Sequence, residues 1–122
     1  MAGSAAIRRS QLLFVYGSLK QGRANHHLLH AAEYVSRVRT APRFALRVVQ
    51  GYPALVSGSR SIVGELYRLP ANAFRALDEF EGPDYVRQQI ELEGRELVQA
   101  YLSRVFAAGA PFAGDEWPSP AD

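Results

Sequence analysis

Cysteine is missing from this sequence, and lysine, methionine and tryptophan each occur only once in its 122 residues. Without cysteine the chain has no disulfide framework and no thiol nucleophile, so any metal ligands would come from its three histidines and its carboxylates. The absence fits a reducing compartment, and we therefore expect a cytoplasmic protein. A hydrophobic share of 48% in a chain of this length predicts one domain with a substantial core.

Long apolar runs are also missing from the sequence. No stretch reaches the roughly 20 apolar residues that a membrane-spanning helix needs, so we expect no membrane partner. Arg8 and Arg9 precede an apolar run, as in a twin-arginine export signal, but the run stops at Gly17 and is too short for one. Residues 1–10 are accordingly expected to form a flexible N-terminal leader.

Charge of one sign is not concentrated anywhere in the chain. The formal net charge is only +2, and the arginines are scattered from Arg8 to Arg104 without a basic block. Nucleic-acid-binding domains gather Lys and Arg into one patch or stripe. We therefore expect no nucleic-acid partner.

Short strands separated by turns are the main pattern. Strand signals occur at residues 12–16, 34–39, 44–49, 61–69, 85–92 and 97–105, with a shorter edge strand at 54–56. Helical signals occur at residues 26–32 and 71–81. This order predicts an α+β fold over residues 11–106, a small mixed β-barrel-like sheet of about six strands with two or three short helices. Residues 107–122, rich in Ala, Gly and Pro, should be irregular and packed on the domain through Trp117.

A glycine loop follows the first predicted strand. Gly17 and Gly22 have the spacing of the Walker phosphate loop, but Arg23 and Ala24 replace its lysine and its Ser or Thr. An ordinary tight turn is the simplest alternative. A strand, a glycine loop and a helix that Asn25 could cap would also aim backbone N–H groups at one point. Such a point suits a carboxylate, a phosphate or an oxyanion.

The second predicted helix carries one acidic residue on its apolar face. At about 100° per residue, Glu81 falls seven positions after Phe74 and shares a face with Phe74 and Leu77. Asp78 lies at the edge of this face, and Glu79 points away from it. Burial and the negative end of the helix dipole would both raise the pKa of Glu81. A carboxylate shifted toward neutrality is suited to take and return protons.

Two alternatives to a catalytic Glu81 follow from the same residues. The carboxylate could be paired with Arg87, or it could simply be solvated at the end of the helix. Glu65, in a predicted strand, is a second candidate for a catalytic base.

Ser18 and the histidines provide further candidates. Ser18 as a hydrolase nucleophile would need a histidine base with an orienting acid. The three histidines, His26, His27 and His30, form one cluster just downstream without an evident acid. His26 and His30 share a helix face but have no third metal ligand nearby, so we expect surface or capping residues rather than a metal site.

Several short segments occur in a fixed order along the chain. The first runs from Val15 to Lys20 and reads VYGSLK, followed by Gly22 and by Asn25-His26, and the segments YPAL, VGELY, LDEFE and YVR follow downstream. This set, over about residues 12–105, resembles the γ-glutamylcyclotransferase-like family, specifically its γ-glutamylamine cyclotransferase and AIG2-like branch. It implies the same barrel-like fold, a catalytic glutamate at Glu81, and binding of the γ-glutamyl group by the loop residues Tyr16, Gly17, Ser18 and Leu19.

The resemblance also implies a reaction. In this family the free α-amine of a γ-glutamyl compound attacks the γ-carbonyl, which gives 5-oxoproline and releases the amine. No cofactor, metal or serine nucleophile is required, and the substrate is a small γ-glutamyl amine or amino compound. A non-catalytic module that binds a γ-glutamyl or amino-acid-like molecule is the alternative. An acid at position 81 favours an enzyme, because a binding module has no use for an unpaired base there.

Overall fold

Eight β-strands, one α-helix and two 3-10 turns make up the computed structural model, which describes residues 10–17, 19–23, 25–49, 51–103 and 110–117. The strands are β1 (Ser10–Val15), β2 (Glu33–Arg39), β3 (Phe44–Val49), β4 (Tyr52–Ser57), β5 (Val63–Pro70), β6 (Tyr85–Glu91), β7 (Leu97–Ser103) and β8 (Ala110–Phe112). Helix α1 spans Phe74–Glu81, and the 3-10 turns span His26–Leu29 and Ala71–Ala73. None of the helices in these ranges has the length and apolar character needed to cross a membrane.

The strands form one mixed sheet that curls into a half-barrel. The strand order is β2-β5-β1-β7-β4-β3-β8, and β6 pairs with β7. Both β1 and β4 run parallel to β7, whereas the remaining pairs are antiparallel. The predicted α+β fold with a mixed, barrel-like sheet is confirmed, with eight strands described where about six were expected.

Strand β1 lies between β5 and β7 in the sheet, and apolar side chains on both of its faces are buried. Leu13 and Val15 belong to one apolar cluster together with Phe74 and Leu77 of α1. Phe14 belongs to a second cluster on the other face of the sheet. The continuous apolar run that predicted this strand therefore reflects two-sided burial. The glycine loop begins where β1 ends.

The helices are shorter than the sequence predicted. The helix expected at 26–32 is only the 3-10 turn His26–Leu29, and the Asn25 side chain makes no capping hydrogen bond to it. A helix of only seven residues would gain few backbone hydrogen bonds for the residues that it orders, so a single 3-10 turn can form in its place. Helix α1 ends at Gly82, whose positive φ of 75° favours glycine, so the predicted end of this helix is confirmed.

Two strand predictions were wrong. The expected edge strand at 54–56 is the six-residue strand β4, which lies inside the sheet between β3 and β7. The expected irregular segment at 107–122 contains β8, which pairs with β3. Both strands depend on partners far away in sequence, which local patterns do not report. The packing of Trp117 is as predicted, because Trp117 packs against the core cluster that contains Phe14 and Leu55. Its ring also meets the Phe112 ring edge-on at a centroid distance of 5.2 Å.

Candidate active site

A cavity of about 350 Å³ opens where β1 ends and α1 ends. The loop after β1 contributes Tyr16, Gly17 and Leu19 to its wall, and α1 contributes Glu81. The volume is in the range of sites that hold small molecules. Ser18, the fourth loop residue predicted to bind substrate, lies outside the described residues. The structure therefore brings Glu81 and three of the four predicted loop residues to one cavity, and their roles in binding and catalysis stay predictions.

Glu81 is the last residue of α1 and is partly buried in the cavity wall. It lies one and two turns after Leu77 and Phe74, both of which are fully buried in the core. Burial raises the pKa of the Glu81 carboxyl from 4.5 to about 7, because the charged form loses hydration there. At neutral pH the group therefore exists in both protonation states, as a general acid–base residue requires.

Arg87 is not the partner of Glu81. Its guanidinium binds Asp78 through two nitrogens, at 2.9 and 3.3 Å, and lies 4.5 Å from the centroid of the Phe74 ring. The Tyr101 hydroxyl donates a further hydrogen bond of 2.6 Å to Asp78. Burial works to raise the pKa of Asp78, but the hydrogen bonds from Tyr101 and Arg87 outweigh it, so this pKa lies below its usual value. Asp78 and Glu81, two of the three acids on α1, are thus electrostatically distinct.

Tyr16 is held by internal hydrogen bonds. Its hydroxyl donates to the Tyr101 carbonyl at 2.6 Å and accepts from the Leu55 N–H at 3.2 Å. Burial raises the pKa of Tyr16 well above its usual value, so the hydroxyl stays protonated. These bonds tie the end of β1 to β4 and β7. The Tyr16 hydroxyl is therefore already hydrogen-bonded within the protein. The predicted contact between Tyr16 and a ligand would be made by its backbone N–H.

Gly17 lies against a proline ring. A Cβ atom at this position would stand 2.6 Å from Cγ of Pro53, a distance that real Cβ contacts do not reach. Its φ is not positive, in contrast to Gly22, Gly51 and Gly82. The need for glycine at this position is thus steric. The Gly17 carbonyl accepts a hydrogen bond of 3.0 Å from the Lys20 N–H, which closes the first turn of the loop.

Glu65 anchors the loop after β1 and does not line the described part of the cavity. One of its carboxylate oxygens accepts hydrogen bonds from the Gln21 N–H at 2.8 Å and from the Tyr67 hydroxyl at 2.9 Å. It is not among the described residues that line the cavity. His26 adds a second anchor, since its Nδ1 lies 2.9 Å from the Leu19 carbonyl and donates to it. Glu65 is therefore a poor candidate for the base, and His26 contacts the loop through Leu19.

Sequence reasoning missed much of the cavity wall. Tyr52, Phe80, Asp84, Tyr85 and Tyr101 also line it. Phe80, Asp84 and Tyr85 lie within four residues of Glu81 in the sequence. The residues around the end of the predicted helix could therefore have been predicted to line the cavity. Tyr85 and Tyr101 come from paired strands, and only the pairing of β6 with β7 brings them together. Among the described positions, no group of three or more His, Asp or Glu side chains is arranged to hold a metal ion.

Tyr85 borders Glu81 in this wall. Its hydroxyl donates to the Pro53 carbonyl at 3.3 Å. Burial and then the nearby charges of Glu81 and Asp84 raise the pKa of Tyr85 above its usual value. The hydroxyl therefore remains a neutral donor over the range in which Glu81 changes its charge.

Comparison with known proteins finds relatives that are named as cyclotransferases. The chain is 38% identical over 93 residues to Gamma-glutamylaminecyclotransferase A of Danio rerio, a match that covers 66% of this chain and 58% of that protein. It is 32% identical over 69 residues to the Gamma-L-glutamyl-butirosin B gamma-glutamyl cyclotransferase of Niallia circulans, covering 57% of this chain and 44% of that protein. The chain thus spans about half the length of these two relatives.

The solved structure of an AIG2-like protein from Mus musculus has the same fold. It superimposes with a TM-score of 0.72 at 23% identity, over 93% of this chain and 92% of that one. The family model described as "Gamma-glutamyl cyclotransferase, AIG2-like" matches residues 13–119, which is most of the chain. Sequence and fold agree, and the chain belongs to the AIG2-like γ-glutamyl cyclotransferase family, whose members are enzymes of the cyclotransferase type.

Proposed function

We propose that this protein converts γ-glutamyl amines or γ-glutamyl amino compounds into 5-oxoproline and the free amine. The observation that carries the proposal is Glu81, a carboxyl with a pKa of about 7 on the wall of the cavity that also contains the loop of Tyr16, Gly17 and Leu19. A group with this pKa can exchange protons with an amine near neutral pH.

The proposed reaction is intramolecular. The α-amine nitrogen forms a bond to the γ-carbonyl carbon, and the bond between that carbon and the leaving nitrogen breaks. Because the nucleophile is tethered to the carbonyl, holding the substrate in a ring-like conformation removes most of the entropy cost of bringing the two together. The chemistry therefore needs no enzyme nucleophile and no resident cofactor.

Glu81 has the role of proton carrier in this proposal. It takes the proton that the attacking amine must lose, and it returns that proton to the leaving nitrogen. An α-amine has a pKa near 8 in model peptides, about one unit above the pKa of about 7 of Glu81. Proton transfer across such a gap costs only about 1.4 kcal/mol. The difference would be much larger for an ordinary, fully hydrated glutamate.

The loop after β1 has the role of holding the γ-glutamyl half of the substrate. Backbone N–H groups of Tyr16, Gly17, Ser18 and Leu19 would bind its charged oxygens and stabilise the negative charge that develops on the γ-carbonyl oxygen. Two anchors support this role, since Glu65 holds Gln21 and His26 holds Leu19. A loop fixed in this way does not have to reorganise when charge develops.

A panel of γ-glutamyl compounds tests the proposal. The purified protein is incubated with γ-glutamyl amino acids, glutathione and γ-glutamyl alkylamines, and products are measured by mass spectrometry. We expect 5-oxoproline and free amine in equal amounts from at least one class. Glutamate as the primary product would indicate a hydrolase, and binding without turnover would indicate the alternative of a binding module. A cytoplasmic location stays a prediction.

A further inference from the structure

Exposure divides the cavity into a floor and a mouth. Phe14, Tyr16 and Tyr101 form the buried floor, with exposed fractions of 1%, 7% and 4%. Tyr52 and Phe80 line the same cavity but are 57% and 44% exposed. Asp84 is also an exposed lining residue and forms the mouth together with these two rings.

The leaving half of a substrate would occupy the mouth. Under the proposed function, the γ-glutamyl half lies on the floor, beside Glu81 and the loop after β1. The 5-oxoproline ring forms on the floor of the cavity. The bond to the leaving nitrogen therefore points away from the floor. Phe80 precedes Glu81 directly and Asp84 follows it by three residues, so both lie near the carboxyl proposed to return the proton to the leaving nitrogen. The substituent of the leaving amine would therefore meet the mouth residues.

The chemistry of the mouth favours a positive charge. Two carboxylates, Glu81 and Asp84, line the cavity, and its described lining contains no Arg, Lys or His. Asp84 forms no ion pair with any other residue that the structure describes. Exposed aromatic rings such as Tyr52 and Phe80 attract cations through their faces. A cation would gain from both features, whereas a carboxylate would be repelled by Asp84 and by the charged form of Glu81.

We propose that the mouth formed by Tyr52, Phe80 and Asp84 selects leaving amines that carry a second positive charge, such as diamines, over neutral amines and over amines that carry a carboxylate. This inference rests on the proposed function and specifies its substrate class. It separates γ-glutamyl diamines from γ-glutamyl peptides, whose leaving group ends in a carboxylate.

Three substrates of matched length test the selection. They are the mono-γ-glutamyl amides of 1,4-diaminobutane, of pentylamine and of 4-aminobutanoate, whose leaving groups end in an ammonium, a methyl and a carboxylate. We expect kcat/KM to fall in that order, with about tenfold or more between ammonium and carboxylate, a size typical of one favourable and one unfavourable charge contact near a surface. The preference should shrink as the salt concentration is raised from about 0.02 M to about 0.5 M, because salt screens the interaction between exposed charges.

Variants assign the preference to the mouth. Asp84→Asn should lower the ratio of kcat/KM for the ammonium substrate over the methyl substrate by about threefold to fivefold. Tyr52→Leu keeps an apolar side chain but removes the ring, and should lower the same ratio by about threefold. Glu79→Gln is the matched control, because Glu79 is an exposed acid on α1 that lies outside the described lining of the cavity. It should leave the ratio unchanged.

The outcomes separate this inference from the proposed function. Equal kcat/KM for the three substrates, with 5-oxoproline formed from each, would overturn the charge selection and leave the cyclotransferase intact. A preference that survives both Asp84→Asn and Tyr52→Leu would overturn its assignment to the mouth. If none of the three substrates yields 5-oxoproline, while glutamate appears or nothing is turned over, the proposed function fails and the selection fails with it.

Discussion

The Tyr101 hydroxyl donates a hydrogen bond of 2.6 Å to Asp78 on α1, while the backbone carbonyl of Tyr101 accepts one of 2.6 Å from Tyr16 at the end of β1. One residue of β7 thus connects the helix that carries Glu81 with the loop proposed to hold the substrate. Asp78 precedes Glu81 by one helical turn, so its anchoring fixes the last turn of α1. We expect the relative position of Glu81 and the loop to depend on this connection.

Removing the Tyr101 hydroxyl should loosen that turn. We expect Tyr101→Phe to lower kcat by about threefold to tenfold with a smaller change in KM, because Glu81 would be positioned less well. Asp78 keeps Arg87 and is substantially exposed, so the loss of stability should be about 1 kcal/mol. Steady-state kinetics and thermal unfolding check both numbers. Tyr34→Phe, at an exposed ring on β2, is the control, and an unchanged kcat in Tyr101→Phe would show that the contact is only structural.

Glu81 should carry the proton transfer. Glu81→Gln is expected to keep the fold while lowering kcat by roughly a hundredfold or more, the usual scale of general acid–base catalysis. In the parent protein the acid limb of the kcat/KM profile should have an apparent pKa near 7, the value set by burial of Glu81. That limb should be absent from the residual activity of the variant. Near-normal turnover in Glu81→Gln would require another base.

The same substitution should change stability in a pH-dependent manner. The folded-state pKa of Glu81, about 7, lies above the value of 4.5 for the unfolded chain, so the folded state binds the proton more tightly. The carboxyl therefore favours folding below about pH 4.5, and this contribution is lost as pH rises through 7. Glu81→Gln should be more stable than the parent at pH 8, by at most about 3 kcal/mol. It should show no such gain at pH 4. Chemical denaturation at the two pH values measures the difference, and an equal effect at both would contradict a buried, ionisable Glu81.

The α-amine of the substrate should be indispensable. Acetylating it removes the proposed nucleophile, so the acetylated compound should yield neither 5-oxoproline nor free amine. A hydrolase that uses Ser18 or a metal-bound water would still release the amine, together with acetylated glutamate. Competition against an unmodified substrate shows whether the acetylated compound still binds. Release of the amine from the acetylated compound would exclude the intramolecular mechanism.

Local periodicity explains which parts of this molecule could be predicted from the sequence. The continuous apolar run of β1 reports two-sided burial, and the spacing of Phe74, Leu77 and Glu81 places one acid on the buried face of α1. Such patterns depend on neighbours within a few residues. The end of α1 at Gly82 was predictable for the same reason, because a positive φ favours glycine.

Contacts between distant segments explain what the sequence did not predict. β4 is internal because Leu55 meets Leu102 on β7, and β8 exists because it pairs with β3. Glu65 was a plausible base until the structure showed it anchoring Gln21, a loop residue 44 positions away. In each case the two partners are distant in sequence and meet only when the sheet has formed. A single sequence carries no local signal for it.

Gly17 should be required because of its contact with Pro53 rather than because of its backbone angles. The proline ring is rigid and cannot move aside for a Cβ that would stand 2.6 Å from its Cγ. Gly17→Val should therefore lower kcat/KM by about a hundredfold or more, whereas Ser18→Ala should cost about tenfold or less, the effect of one ordinary hydrogen bond. Circular dichroism should show that both variants are folded.

A double-mutant cycle isolates the contact between Gly17 and Pro53. Gly17→Ala should be impaired alone, and Pro53→Ala should restore part of its activity by removing the ring that the new methyl group meets. Pro53→Ala keeps the backbone carbonyl that accepts the Tyr85 hydroxyl, so its own effect should be modest. Additive losses in the double variant would refute the steric explanation. Near-complete inactivation by Ser18→Ala beside a tolerated Gly17→Val would move the chemistry from the loop backbone to the serine hydroxyl.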